Sequence, residues 1–453
     1  MQKNSDLVKQ DSFSVIRQQK VLIVRLLNEI SVINNNGSNL IESFKHFNIL
    51  LLELKKDFDS PKEYYELYIE VYDVLTILLN YLTANHLKLF DLTDIYELIQ
   101  YSNNLVPRLY LLITCGVAML NFETFPQSEI LKDMIEMLNG VQHPIKGMFL
   151  RYYLLQRCKF IFNDEKRVVT NEFKIDFLIA NFIEMNKLWI RLQYQGQLRE
   201  KSSKLKERKE VELLIGYNLV QLTEVLDLEE QSLALKLYRE NTLPRILKQV
   251  ISCRDIISQE YLLDILFQIF PESFHCDLTC IDLYLGSFLK LTPKTNISKS
   301  VVTLIEQILS QADQNKEENN KNTLDGGILF DKILKFLKYL NEERPDLPFK
   351  DFIVILSPLI SLVLKLIDSE SLKLRLDCLD AVFSFINFKK KDYAITDEIN
   401  FLLKRVFFSI KDDIDLDSTL PYSLLVECPN VNEFLLNSGS DFIRYEMLDM
   451  IIK

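Results

Sequence analysis

An all-α fold, a HEAT-like solenoid of stacked antiparallel helix pairs, is what this sequence predicts, and three observations carry that prediction. Glycine is scarce, 10 residues in 453, roughly a third of ordinary usage. Hairpins and tight sheet turns need glycine, so the shortage favours helices joined by short links. Apolar residues recur at three- and four-residue spacing along most of the chain, and no convincing stretch alternates polar with apolar as a half-buried strand would. Helix-start and helix-stop signals punctuate the pattern at short intervals.

The elements follow in order. Asn34-Asn-Asn-Gly37 ends the first helical stretch with residues that accept a left-handed conformation. Ser60-Pro-Lys-Glu63 then opens a helix: Ser60 caps it, Pro61 fits the first helical position and Glu63 completes a capping box. Tyr64, Leu67, Tyr68, Val71, Leu75 and Leu78 form its apolar face. Residues 104–120 make another helix, entered through Pro107. Gly140 closes the helix before His143-Pro144, which starts the next. A long helix begins near Thr170 and carries Phe177, Phe182, Met185, Leu188 and Trp189. Further helices are expected near 211–226, 243–254, 258–270, 281–291, 299–312, 327–341, 348–367, 370–387 and 397–410. The total is roughly seventeen, too many for one bundle, whereas pairs stacked in sequence bury each apolar face on a neighbour. The expectation is one solenoid over residues 1–453, with a polar loop at 311–325 and further repeats over 326–453.

Charge and chemistry exclude several functions. The net charge is −11 and the isoelectric point about 5.2, the wrong sign for a protein that displaces counterions from nucleic acid. Membrane attachment would therefore come through partners. Seven cysteines at wide spacing read as buried thiols in a reducing compartment rather than a disulfide framework. The N-terminus lacks a signal-peptide core, and the longest apolar run, residues 354–367, is too short to span a bilayer. A cytoplasmic protein is expected. No phosphate-binding glycine loop occurs, and His46, His86, His143 and His275 lie far apart. Cys276 and Cys280 could share a helical face, but no second ligand pair closes a tetrahedron. Asp413-Ile-Asp-Leu-Asp417 begins like a calcium loop and then lacks its turn glycine and its bidentate glutamate. Arg199 to Glu210, the densest charge run, reads as a solvated helix start. No enzyme, no metal and no cofactor are expected.

The helix over 104–120 is different. Leu109, Leu112, Ile113, Val117 and Leu120 form one face, and Tyr110, Leu111 and Met119 extend the apolar surface around it. Arg108 stands near the positive end of the helix dipole, where a cation is mildly unfavourable. Gly116 lies mid-helix at a cost of about 1 kcal/mol relative to alanine. Arg108 can offer a forked pair of hydrogen bonds to an acidic group, and Gly116 can admit a close backbone approach. On residue chemistry, partner binding and internal packing both remain open.

Pro107-Arg-Leu-Tyr-Leu-Leu-Ile-Thr114 resembles the signature of the vacuolar protein sorting-associated protein 35 family, the large subunit of retromer. Ser60 to Tyr68 and Asp94-Ile-Tyr-Glu-Leu-Ile-Gln-Tyr101 are similar to family segments upstream. Gly140-Val-Gln-His-Pro144, Glu184-Met-Asn-Lys-Leu-Trp189, Cys253-Arg-Asp255 and Gln259-Glu-Tyr-Leu262 match downstream. Lys146 stands where the family tends to have arginine, at what reads as an exposed helix start. The resemblance implies a non-catalytic scaffold for retrograde cargo transport from endosomes. It implies that repeats 12–200 bind the arrestin-like subunit, vacuolar protein sorting-associated protein 26. The contact would fall on Pro107, Arg108, Leu109, Tyr110, Leu111, Leu112 and Gly116. A sorting nexin and cargo tails would dock near that junction, and a late-endosomal small GTPase would recruit the assembly. The family's C-terminal half, which wraps a metallophosphoesterase-like subunit, has no counterpart here, so that contact is not expected. The alternative is a generic helical-repeat adaptor or transport receptor that grips flexible peptides.

Overall fold

The computed structural model describes residues 2–33, 38–58, 60–162, 169–194, 201–317, 325–345, 347–367, 372–390 and 428–437, and the single positions 402 and 445. Helices pack in neighbouring pairs as an all-α solenoid, with no strand among the described residues. They sort into two compact units, Met1–Leu237 and Tyr238–Lys453.

In the first unit, α1 (Gln2–Ile33) packs on α2 (Ser38–Leu52) and on α3 (Pro61–Asn85). The Ser60 hydroxyl accepts the Glu63 amide at 3.3 Å, so the capping signal works as the sequence implies. Next come α4 (Leu92–Gln100), α5 (Leu105–Met119) and α6 (Gln127–Met137). A 3-10 turn at Leu138–Gly140 closes α6 before α7 (Pro144–Phe162). Then follow α8 (Asn171–Leu192), capped by Thr170, α9 (Lys201–Leu226) and α10 (Gln231–Leu237). α3 is long and apolar enough to cross a membrane by composition. Its apolarity has a packing cause: α1, α5, α7 and α9 all lean on it.

The second unit opens with a π-turn at Tyr238–Thr242. It continues through α11 (Leu243–Cys253), α12 (Ile256–Ile269), α13 (Glu272–His275), α14 (Leu278–Phe288) and α15 (Ile297–Glu317). After these come α16 (Gly326–Glu343), α17 (Phe349–Leu366), α18 (Leu372–Lys390) and α19 (Pro429–Asn437). α15 packs on α17, α14 on α16, α17 on α18 and α18 on α19. Buried cations tie helices together. Arg344 donates to the Phe288 carbonyl at the end of α14, and Arg375 to the Ile367 carbonyl after α17. In the first unit Lys174 does the same for Phe162 at the end of α7. Each donor meets carbonyls that the helix itself leaves unpaired.

Four expectations change. The polar stretch from Gln311 is helical through Glu317, because α15 runs on past its apolar face; residues 318–324 lie outside the described residues. Cys276 and Cys280 do not share a helix: Cys276 ends α13, and Asp277 caps the start of α14. Arg208 is buried, not solvated, with its guanidinium 4.7 Å from the Trp189 ring and a hydrogen bond to Gln193. Lys146 is not exposed: its side chain is 11% accessible and donates to the Lys55 carbonyl at 2.7 Å and the Asp57 carboxylate at 2.6 Å. That bond holds the Asp57 carboxyl below its ordinary value. The helix expected over 397–410, apart from position 402, the Asn34–Gly37 stop and the Asp413–Asp417 run lie outside the described residues.

Candidate functional site

Asn104 sits at the N-cap of α5 in extended backbone, and Pro107 enters the first turn where its missing N–H costs nothing. The helix then meets neighbours on every side. α2, α3, α4, α6 and α7 all contact it. Leu109, Tyr110, Leu111 and Leu112 are buried, as are Pro107 and Gly116. The Tyr110 ring lies 5.0 Å from Tyr153 of α7. Thr114 donates to the Tyr110 carbonyl and pairs with the Tyr153 hydroxyl, each at 2.7 Å. Burial pushes the Tyr110 phenol and the Cys115 thiol well up, so both stay neutral.

Gly116 has a local explanation. A Cβ built there meets the Met134 sulfur at 2.9 Å and Ile130 at 3.4 Å. The glycine lets α6 lie close against α5. Five of the seven candidate residues, Leu109 to Leu112 and Gly116, thus pack the repeat interior, and Pro107 is covered with them.

Arg108 stands apart. It is half-buried, and its Nη1 reaches the Ser102 carbonyl at 3.4 Å, a long bond for a guanidinium. Ser102 in turn donates to Asn48 of α2 at 3.2 Å. Exposed apolar side chains stand close to it in the chain, alongside the exposed Glu97, Gln100 and Asn103. Tyr101 is 84% exposed, Leu98 42% and Leu105 36%, with Ile49 of α2 at 43%. Sequence periodicity missed these residues because α4 ends and α5 begins among them, and no single helical face contains them. The signal available was the Tyr101 side chain in a link otherwise polar, Ser102-Asn-Asn104.

Among the described residues no three ligand-type side chains come together for a metal. Cys280 is buried and its thiol is pushed up to about 12 by burial; Cys276 behaves alike. His275 is fully buried, with Nδ1 2.8 Å from the Tyr284 hydroxyl, and burial lowers it to about 4. What the arrangement around α5 offers is a surface.

Comparison with known proteins places that surface in context. The family model for vacuolar protein sorting-associated protein 35 matches residues 9–414. The protein of that name from Schizosaccharomyces pombe is 34% identical over 332 residues, covering 72% of this chain and 38% of the relative. That of Dictyostelium discoideum is 35% identical over 334 residues, 73% of this chain and 41% of the relative. Arabidopsis thaliana protein 35A is 36% identical over 291 residues, 62% of this chain and 36% of the relative. The chain thus aligns with less than half the length of these curated relatives.

Proposed function

The chain belongs to the vacuolar protein sorting-associated protein 35 family, and from that premise we propose that it is a non-catalytic scaffold of the retromer coat. Its first unit holds the arrestin-like subunit, vacuolar protein sorting-associated protein 26. A sorting nexin and cargo tails dock beside that junction, and a late-endosomal small GTPase brings the cytoplasmic assembly to endosomal membranes.

One observation supports it most. Within the run Pro107 to Leu112, Arg108 alone keeps part of its side chain accessible, and the exposed Tyr101, Leu98 and Leu105 stand close to it in the chain. An arginine accompanied along the chain by an exposed aromatic ring and aliphatics has the composition that interface centres favour. The buried members of the motif act indirectly, by fixing the turn that presents Arg108. The test is a pull-down of the whole chain against the arrestin-like subunit, with Arg108→Ala and Tyr101→Asp variants. Each variant is expected to weaken capture at least about tenfold, the cost of an interface anchor. Full capture by both variants, at unchanged helicity and melting, would move the junction elsewhere.

A further inference from the structure

One residue of the link between α4 and α5 is held from two sides. The Ser102 amide donates to the Ile99 carbonyl of α4 at 3.0 Å, and the Ser102 hydroxyl donates to the Asn48 side-chain oxygen of α2 at 3.2 Å. α2 and α4 both pack on α5. Ser102 thus has its backbone and its side chain fixed by helices that precede α5. Its carbonyl is the group left over, and that carbonyl is what Arg108 reaches.

Arg108 has no second hold. A guanidinium carries five N–H donors, and among the described residues Arg108 makes this one side-chain hydrogen bond and no ion pair. Glu97 of α4, exposed nearby in the chain, does not pair with it. A long flexible side chain loses rotamer entropy when a partner fixes it, and a contact that already directs it reduces that loss. At 3.4 Å the bond is long. It uses one nitrogen, Nη1, and leaves the rest of the fork open to a partner. Asn48 has no other employment either. It is half-buried within α2 and makes no other side-chain hydrogen bond among the described residues. Asparagine is a middling helix former, and no contact within α2 accounts for it.

We infer that Asn48 and Ser102 are positioning residues for Arg108: Asn48 orients Ser102, and the Ser102 carbonyl directs the guanidinium that meets the arrestin-like subunit. The inference rests on the proposed junction at Arg108 and extends it to α2, outside the Pro107 to Gly116 segment. Neither residue touches the partner in this account. Each acts by keeping the guanidinium in one orientation before the partner arrives, so its effect on binding passes through Arg108. A mere tie between α2 and the α4–α5 link would instead act on stability and leave Arg108 indifferent.

Two measurements on the whole chain test this. The first needs no partner: the rate at which phenylglyoxal labels Arg108, read by mass spectrometry, with the buried Arg151 and Arg157 as slow references. Ser102→Ala and Asn48→Ala are each expected to raise that rate about three- to tenfold, the worth of one hydrogen bond. Ser102→Thr keeps the hydroxyl and should restore the parent rate. The second is the affinity for immobilised arrestin-like subunit, by surface plasmon resonance. The two alanine variants are expected to bind about three- to tenfold more weakly than the parent. In an Arg108→Ala background the same changes should cost less than about twofold. Unchanged labelling in both variants overturns the inference. Equal losses of affinity with and without Arg108 overturn it too, and leave the pair a structural tie. A parent chain that does not bind the subunit refutes the proposed junction, and the labelling rates then still decide whether Asn48 and Ser102 position Arg108.

Discussion

Gly116 shows how one missing methyl group sets the position of a helix. α6 approaches α5 so closely that a Cβ at Gly116 would stand 2.9 Å from the Met134 sulfur. Alanine at an interior helical position is worth about 1 kcal/mol over glycine, while an overpacked core costs about 1–3 kcal/mol. The obstructing atom is the sulfur of a flexible methionine, which can give way at the low end of that cost, so Gly116→Ala is expected to leave stability within about 1 kcal/mol of the parent. Met134→Ala removes the obstacle, and in that background Gly116→Ala should become stabilising. A double-mutant cycle by chemical denaturation measures this directly. Additive effects, with no favourable coupling, would mean that Met134 moves aside freely. Gly116 seats the helix against α6, whereas Arg108 is half-buried at its first turn.

At the scale of the element, α9 is held to α8 by a reciprocal pair. Trp189 donates its indole N–H to the Arg208 carbonyl at 3.0 Å, and the Arg208 guanidinium covers the indole ring at 4.7 Å. Arg208 is 1% exposed and bonds Gln193 at 2.8 Å. Arg208→Ala removes both the stacking and the packed stem, with an expected cost of about 2–3 kcal/mol. Trp189 is the one tryptophan in the chain, so its emission should shift to the red in the variant. Unchanged emission would place the guanidinium off the ring. The same helix shows where sequence reading stops. Ser60-Pro61 and His143-Pro144 mark helix starts through contacts within four residues, and both were legible. Arg208 and Lys146 are charged residues in polar stretches, and both looked solvated. Their burial comes from Trp189, Gln193, Lys55 and Asp57, partners 15 to 91 positions away. Local periodicity carries no trace of such neighbours. Arg108 was legible as an anomaly, a cation at the wrong end of a dipole, but the exposure of the apolar residues close to it in the chain was not.

Across the whole molecule, the two units carry different titrating cores. The second buries His275 among Tyr238, Phe267, Phe274 and Tyr284, with Cys280 close to the two phenols. Burial lowers His275 from 6.5 to about 4, so the folded unit holds a neutral imidazole where the unfolded chain takes up a proton. Between these two values the unfolded state binds more protons. Stability is therefore full above about pH 6.5 and falls as the pH drops toward 4. Burial lowers His143 in the first unit as well, but the shift to about 4 belongs to His275 in the second, whereas Trp189 reports on the first. At pH 5 the helical signal of the whole chain is expected to begin melting before Trp189 fluorescence changes. At pH 7.5 the gap between the two probes should narrow. His275→Gln keeps a hydrogen-bonding group near Tyr284 and cannot take the proton, so it should remove the widening at pH 5. Coincident transitions at both pH values, or a widening that survives His275→Gln, would mean that the acid-sensitive group lies elsewhere and that the units unfold as one.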